Sequence, residues 1–171
     1  MNPLVRRSWA PRGRTPVLMQ RGRSRRKVSV IGALVISPRR RRVRAYFSLL
    51  PEASFDGEQV LRFLRQLCRA LRVPIALIWD RLQAHTGEPV KGWLEQNRHR
   101  IRAELLPPYA PELNPVELIW GHAKANDLAN YAPVEFTELL MQTHLSVLAI
   151  GDDRPLLRSF LRHCALSFRL M

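Results

Sequence analysis

The sequence predicts an α/β fold, a mixed sheet flanked by helices, and three observations carry that prediction. The run Lys27–Ile36 (KVSVIGALVI) is β-branched and apolar, and Val43–Leu50 repeats the pattern across a turn at Pro38 and Arg39–Arg42, as in a strand hairpin. Val60, Leu64, Leu67, Cys68 and Leu71 then recur at helical spacing, with Arg62, Arg65, Gln66 and Arg69 falling elsewhere. Ile75–Trp79 is apolar at every position, which suits a central strand covered on both faces. A hairpin followed by alternating helices and strands is an α/β arrangement.

The elements follow in order. Residues 1–26 are rich in Pro, Gly and Arg, with a short strand expected at Thr15–Gln20; they read as a basic segment leading into a domain over residues 27–171. Asp56 stands near the start of the first helix and Pro74 ends it. After Asp80 come a short helix at Glu88–Asn97, a strand at Ile101–Leu106 and the loop LPPYAPELNP. A helix from about Val116 to Asn126 follows, then helical stretches at Val134–Ala149 and Pro155–Leu166, punctuated by Gly151-Asp152-Asp153.

A chain of 171 residues buries about 70% of its unfolded surface and needs no disulfide or structural metal to fold. Its two cysteines, Cys68 and Cys164, form no C-x-x-C pair, which points to a reduced cytoplasmic setting and away from a zinc ribbon. The apolar runs are too short for a membrane helix, and no apolar segment follows the first basic residues as in a secretory signal. The formal charge of +14 is unevenly placed. No Asp or Glu precedes Glu52, whereas half of the 28 Lys and Arg do; the rest of the chain is formally neutral. The clusters Arg21, Arg23, Arg25, Arg26 and Lys27, and Arg39, Arg40, Arg41 and Arg42, suit phosphate contacts. A nucleic acid is the expected partner.

Two carboxylates stand out by position. Asp80 ends the Ile75–Trp79 strand, where open α/β sheets place ligands. Glu117 opens the helix after LPPYAPELNP. A strand end and a helix start can bring both together, and two or three such oxygen ligands hold Mg²⁺ for phosphodiester cleavage. Structural explanations compete. Asn114, Pro115 and Glu117 match a capping box, Asp80 suits a turn, His85 suits a packing position, and Asp152 and Asp153 precede Pro155 as caps.

The string LLPPYAPELNPVELIWGHAK, preceded by IALIWDRLQAH, resembles the catalytic core of bacterial insertion-sequence transposases of the mariner superfamily, which are DDE transposases. The matching positions are Asp80, His85, Leu106, Pro107, Tyr109, Pro111, Leu113, Asn114, Pro115, Glu117, Trp120 and Lys124. WAPRGRTP resembles the segment after the family's first catalytic strand, and LLRSFLRHCALSF its C-terminal helix.

The resemblance implies a ribonuclease-H-like fold, DNA strand cleavage and transfer, and a Mg²⁺ or Mn²⁺ site that is complete in the intact family and weak or absent in this chain. Asp80 and Glu117 would be the ligands, supported by His85, Asn114, Trp120 and Lys124. DNA would be the partner, with room for a homodimer, in the cytoplasm at the nucleoid and away from membranes. Two departures qualify it. Arg81 stands where many members have Asn beside the Asp. The family's first catalytic Asp has no counterpart before Glu52, and Asp56 lies in the wrong topological slot. The first catalytic strand is therefore expected to be missing or incomplete, and the chain to be a C-terminal part of the catalytic domain that is inactive alone. The alternatives are a non-catalytic DNA-binding remnant and a basic RNA-binding protein, though no RNP-type aromatic motif or G-x-x-G loop supports the latter.

Overall fold

The computed structural model describes residues 7, 9–14, 17, 26–39 and 41–166. Strands β1 (Val28–Ile36) and β2 (Val43–Pro51) form the antiparallel hairpin, in register from Val28 opposite Pro51 to Ile36 opposite Val43. Ser37 closes the turn: its amide donates to the Arg42 carbonyl at 2.9 Å, and its hydroxyl accepts from the Arg42 amide at 3.1 Å. Apart from Val17, which is in no strand, the expected strand at Thr15–Gln20 lies outside the described residues, as do Met1–Arg6 and Ser8.

Helix α1 (Gly57–Leu71) starts at a reciprocal cap. The Asp56 carboxylate accepts from the Glu58 and Gln59 amides, and the Gln59 side chain accepts from the Asp56 amide. Asp56 is thus a cap. The helix stops at Arg72, whose backbone turns left-handed (φ 52°) just before Pro74. Strand β3 (Ile75–Trp79) pairs in parallel with β4 (Ile101–Leu105), joined by the short α2 (Gln83–Thr86), which the sequence reading lacked, and by α3 (Glu88–Gln96). Helices α4 (Pro115–Ala125), α5 (Phe136–Asp152) and α6 (Arg154–His163) complete the fold.

Strand periodicity gives the hairpin two covered faces. Leu34 and Ile36 of β1, with Val43, Ala45 and Phe47 of β2, pack with Ile119, Ala123, Ile150, Leu157, Phe160 and Leu161 of the last three helices. Ile31 points the other way and packs with the second cluster, where Val60, Leu61 and Leu64 of α1 meet Trp79, Val90 and Ile101. Gly32 permits the closest approach. A Cβ there would lie 2.9 Å from both the Phe47 and Trp120 rings, so only glycine lets these aromatics lie on the strand.

Four expectations need correction. Strand β3 is covered on one face: Ile75, Leu77 and Trp79 pack inward, whereas Ala76 and Ile78 are exposed, Ile78 at 48%. Among the described residues β3 pairs only with β4, so the hairpin and the parallel pair stand as two two-stranded sheets. Helix α5 runs through Gly151 and Asp152, and only Asp153 separates it from α6, accepting from the Leu156 amide at 2.9 Å. Helix α6 ends at His163 because Cys164 is extended (ψ 150°).

Candidate active site

Asp80 follows the last residue of β3, and Glu117 lies in the first turn of α4. Both line one pocket of about 200 Å³, with Arg81, Leu106, Tyr109, Asn114 and the prolines 107, 108 and 111. The walls follow from local structure. Strand β4 carries Leu106 beside Trp79, whose carbonyl accepts from the Leu106 amide at 2.8 Å, so the chain leaves the sheet level with Asp80. The prolines then hold an extended path. Tyr109 takes a left-handed backbone (φ 55°) and projects wholly into solvent at the pocket.

A 3-10 turn at Pro111–Leu113, not expected from the sequence, takes up the backbone amide that a capping box would offer Glu117. The Asn114 amide donates to the Pro111 carbonyl at 3.0 Å, so the partner a capping-box glutamate would take is already engaged. The Asn114 side chain still caps α4, accepting from the Val116 amide at 3.1 Å. Glu117 itself is exposed, and its carboxylate has no hydrogen-bond or ion-pair partner among the described residues.

Asp80 is held on one oxygen. Its Oδ1 lies 2.7 Å from Nδ1 of His85 and accepts from the Leu82 amide at 3.1 Å. Oδ2 has no such partner among the described residues. Helix α2 positions His85, whose ring stacks on Trp79 (4.5 Å between centroids, 6° between planes). The His85 hydrogen bond draws the Asp80 carboxyl below the usual carboxylate range; partial burial opposes this and the Leu82 amide assists. The folded-state value lies below the unfolded one, so the resulting stabilisation is complete above about pH 4 and is lost as the pH falls through the folded value. An NMR titration of the Asp80 carboxyl should give a midpoint below about 3.9, rising in His85→Ala. An unchanged midpoint in the variant would refute the assigned cause.

The remaining candidates divide by place. Arg81 donates from Nε to the Leu106 carbonyl at 3.0 Å, tying the ends of β3 and β4 together at the pocket. Trp120 lies away from the pocket, packed on Phe47 (5.9 Å, 59°). Lys124 is half-buried further along α4 and does not line the pocket. Arg21, Arg23, Arg25 and Arg40 lie outside the described residues. Arg26 pairs with Glu52 at 3.1 Å and lies over the Phe136 ring, and Lys27 donates to the Ser54 hydroxyl. Arg39, Arg41 and Arg42 are exposed at the hairpin turn.

Carboxylate oxygens are hard donors suited to Mg²⁺ or Mn²⁺. The free Oδ2 of Asp80 and the unpartnered Glu117 carboxylate are two such oxygen donors lining the same pocket. Among the described residues no group of three His, Cys, Asp or Glu gathers to complete a site.

Residues 2–139 match the family model described as DDE superfamily endonuclease. The chain belongs to that family. No curated protein sequence matches it. The DDE endonuclease chain shares its fold with solved mariner transposase structures. It is 18% identical to the Mos1 strand transfer complex, with a TM-score of 0.60 over 93% of this chain and 46% of that one. It is 20% identical to the Mos1 mariner paired end complex with Mn, with a TM-score of 0.60 over 94% and 48%. For the Mos1 paired-end complex with left transposon end the values are 18%, 0.59, 94% and 47%. The DDE endonuclease chain thus spans about half the length of these structures. Its fold is the ribonuclease-H-like one. No helix among its described residues is long and apolar enough to cross a membrane.

Proposed function

We propose that this chain is the C-terminal part of a DDE transposase catalytic domain, residues 27–171 forming that part and residues 1–26 a basic lead-in. It acts on DNA in the cytoplasm at the nucleoid. One observation carries the reading: Asp80 and Glu117, far apart in sequence, line one pocket, Asp80 with Oδ2 and Glu117 with its carboxylate unpartnered among the described residues.

Asp80 and Glu117 would hold Mg²⁺ or Mn²⁺. When bound, such an ion lowers the pKa of water and offsets charge on the leaving oxygen during phosphodiester cleavage. The chain's own residues set the geometry. His85 and the Leu82 amide fix Oδ1 of Asp80 and leave Oδ2 without a partner among the described residues, while Asn114 fixes the start of the helix that carries Glu117. Arg81 holds the pocket wall at Leu106. A third carboxylate, which residues 1–51 do not contain, completes the family's set, so the polypeptide alone is expected to be inactive.

Mn²⁺ titration followed by water-proton relaxation tests the reading. With two carboxylates of the family's three, the unmodified chain should bind Mn²⁺ weakly and in competition with Mg²⁺. Asp80→Asn and Glu117→Gln should each weaken binding by more than about tenfold, at least the loss that an altered outer-shell contact causes. Binding unchanged in both variants would overturn the shared site.

A further inference from the structure

We infer that α1 carries a DNA-backbone contact surface of its own, formed by Arg62, Arg65, Arg69 and Arg72 and separate from the carboxylate pocket. This rests on the proposed action on DNA. Arg62, Arg65 and Arg69 recur at intervals of three and four residues, which places them on one side of the helix, and Arg72 stands at its C-cap. Val60, Leu61, Leu64 and Leu67 take the other side, against β3, β4 and α3. All four arginines are exposed. None is in an ion pair or side-chain hydrogen bond among the described residues, and no pocket-lining residue comes from α1.

A solvated helix face ordinarily mixes signs, because like charges three or four residues apart destabilise a helix. This face has a single acid, Glu58, at its N-terminal end, in no ion pair among the described residues. The helix C-terminus accounts for Arg69 and Arg72, which face its negative dipole end, but not for Arg62 and Arg65. A polyanion relieves the whole row. From Arg62 to the helix end at Leu71 the rise is about 14 Å, close to the roughly 12 Å width of the major groove, so a row ending at the C-cap Arg72 can reach phosphates on either side of it. The formal neutrality of residues 52–171 conceals this surface, since the balancing acids lie largely elsewhere in the sequence.

The test is fluorescence anisotropy of the full chain with a duplex DNA of about 20 base pairs at several salt concentrations, comparing the unmodified chain with Arg62→Gln/Arg65→Gln/Arg69→Gln. Glutamine keeps helix propensity close to that of arginine. The triple variant should bind more weakly, with a log–log salt slope shallower by about 2 to 3, near 0.9 for each phosphate contact removed. If the triple variant melts early, Arg65→Gln alone should shift the slope by about 0.9. Unchanged affinity and slope, while Arg39–Arg42→Ser still weakens binding, would overturn the inference and leave the DNA reading standing. A chain that binds no duplex DNA would overturn both.

Discussion

Trp120→Ala should lower the unfolding free energy by about 3 kcal/mol, the lower end of the cost of truncating a core aromatic, because the ring is partly buried against the core. The ring lies between α4 and the hairpin, tilted on Phe47 at 5.9 Å, and an aromatic pair of this kind adds about 0.5–1.5 kcal/mol beyond burial. Beneath it is Gly32, which has no side chain to fill the space. The reverse error, Gly32→Ala, drives a methyl group to 2.9 Å from two rings and should cost about 1–3 kcal/mol. Urea denaturation of both variants measures the losses through the midpoint at constant slope. A loss below about 1 kcal/mol for Trp120→Ala would show that α4 is anchored otherwise. The result bears on function because α4 presents Glu117 one turn before Trp120.

The second large effect concerns DNA. The chain is expected to bind duplex DNA without sequence preference, with a log–log salt slope near −4 to −5, corresponding to about four to six phosphate contacts. The motivating observation is the absence of any acid before Glu52, together with the exposure of Arg39, Arg41 and Arg42 at the hairpin turn. Of the earlier cluster, Arg26 is engaged by Glu52 and Phe136, so the turn is the better placed group. Replacing Arg39–Arg42 with Ser should flatten the slope and weaken all sequences alike. Asp80→Ala/Glu117→Ala should leave binding intact or tighten it by removing negative charge. Binding insensitive to salt, or lost through the carboxylate change alone, would sink the electrostatic account in favour of a metal-bridged one.

Much of this molecule is legible in its sequence wherever local chemistry decides. The hairpin, α1, α3, β4 and α4 lie within a few residues of the bounds that apolar period, prolines and caps assign, because each pattern is satisfied within its own element. The motif residues likewise marked Asp80, His85 and Glu117. Tertiary structure decided the rest. An all-apolar pentapeptide does not reveal that β3 is covered on one face, since burial depends on what packs there. Gly151 does not break α5, whose surroundings bring Phe47 to 3.5 Å from a Cβ placed at that glycine; packing outweighs its weak helix propensity. Trp120 belongs by sequence to the catalytic string but by packing to the hairpin core. Whether Glu117 caps its helix or faces a pocket was undetermined by spacing. It turned on one backbone amide, that of Asn114, which the 3-10 turn engages with Pro111, leaving the carboxylate free.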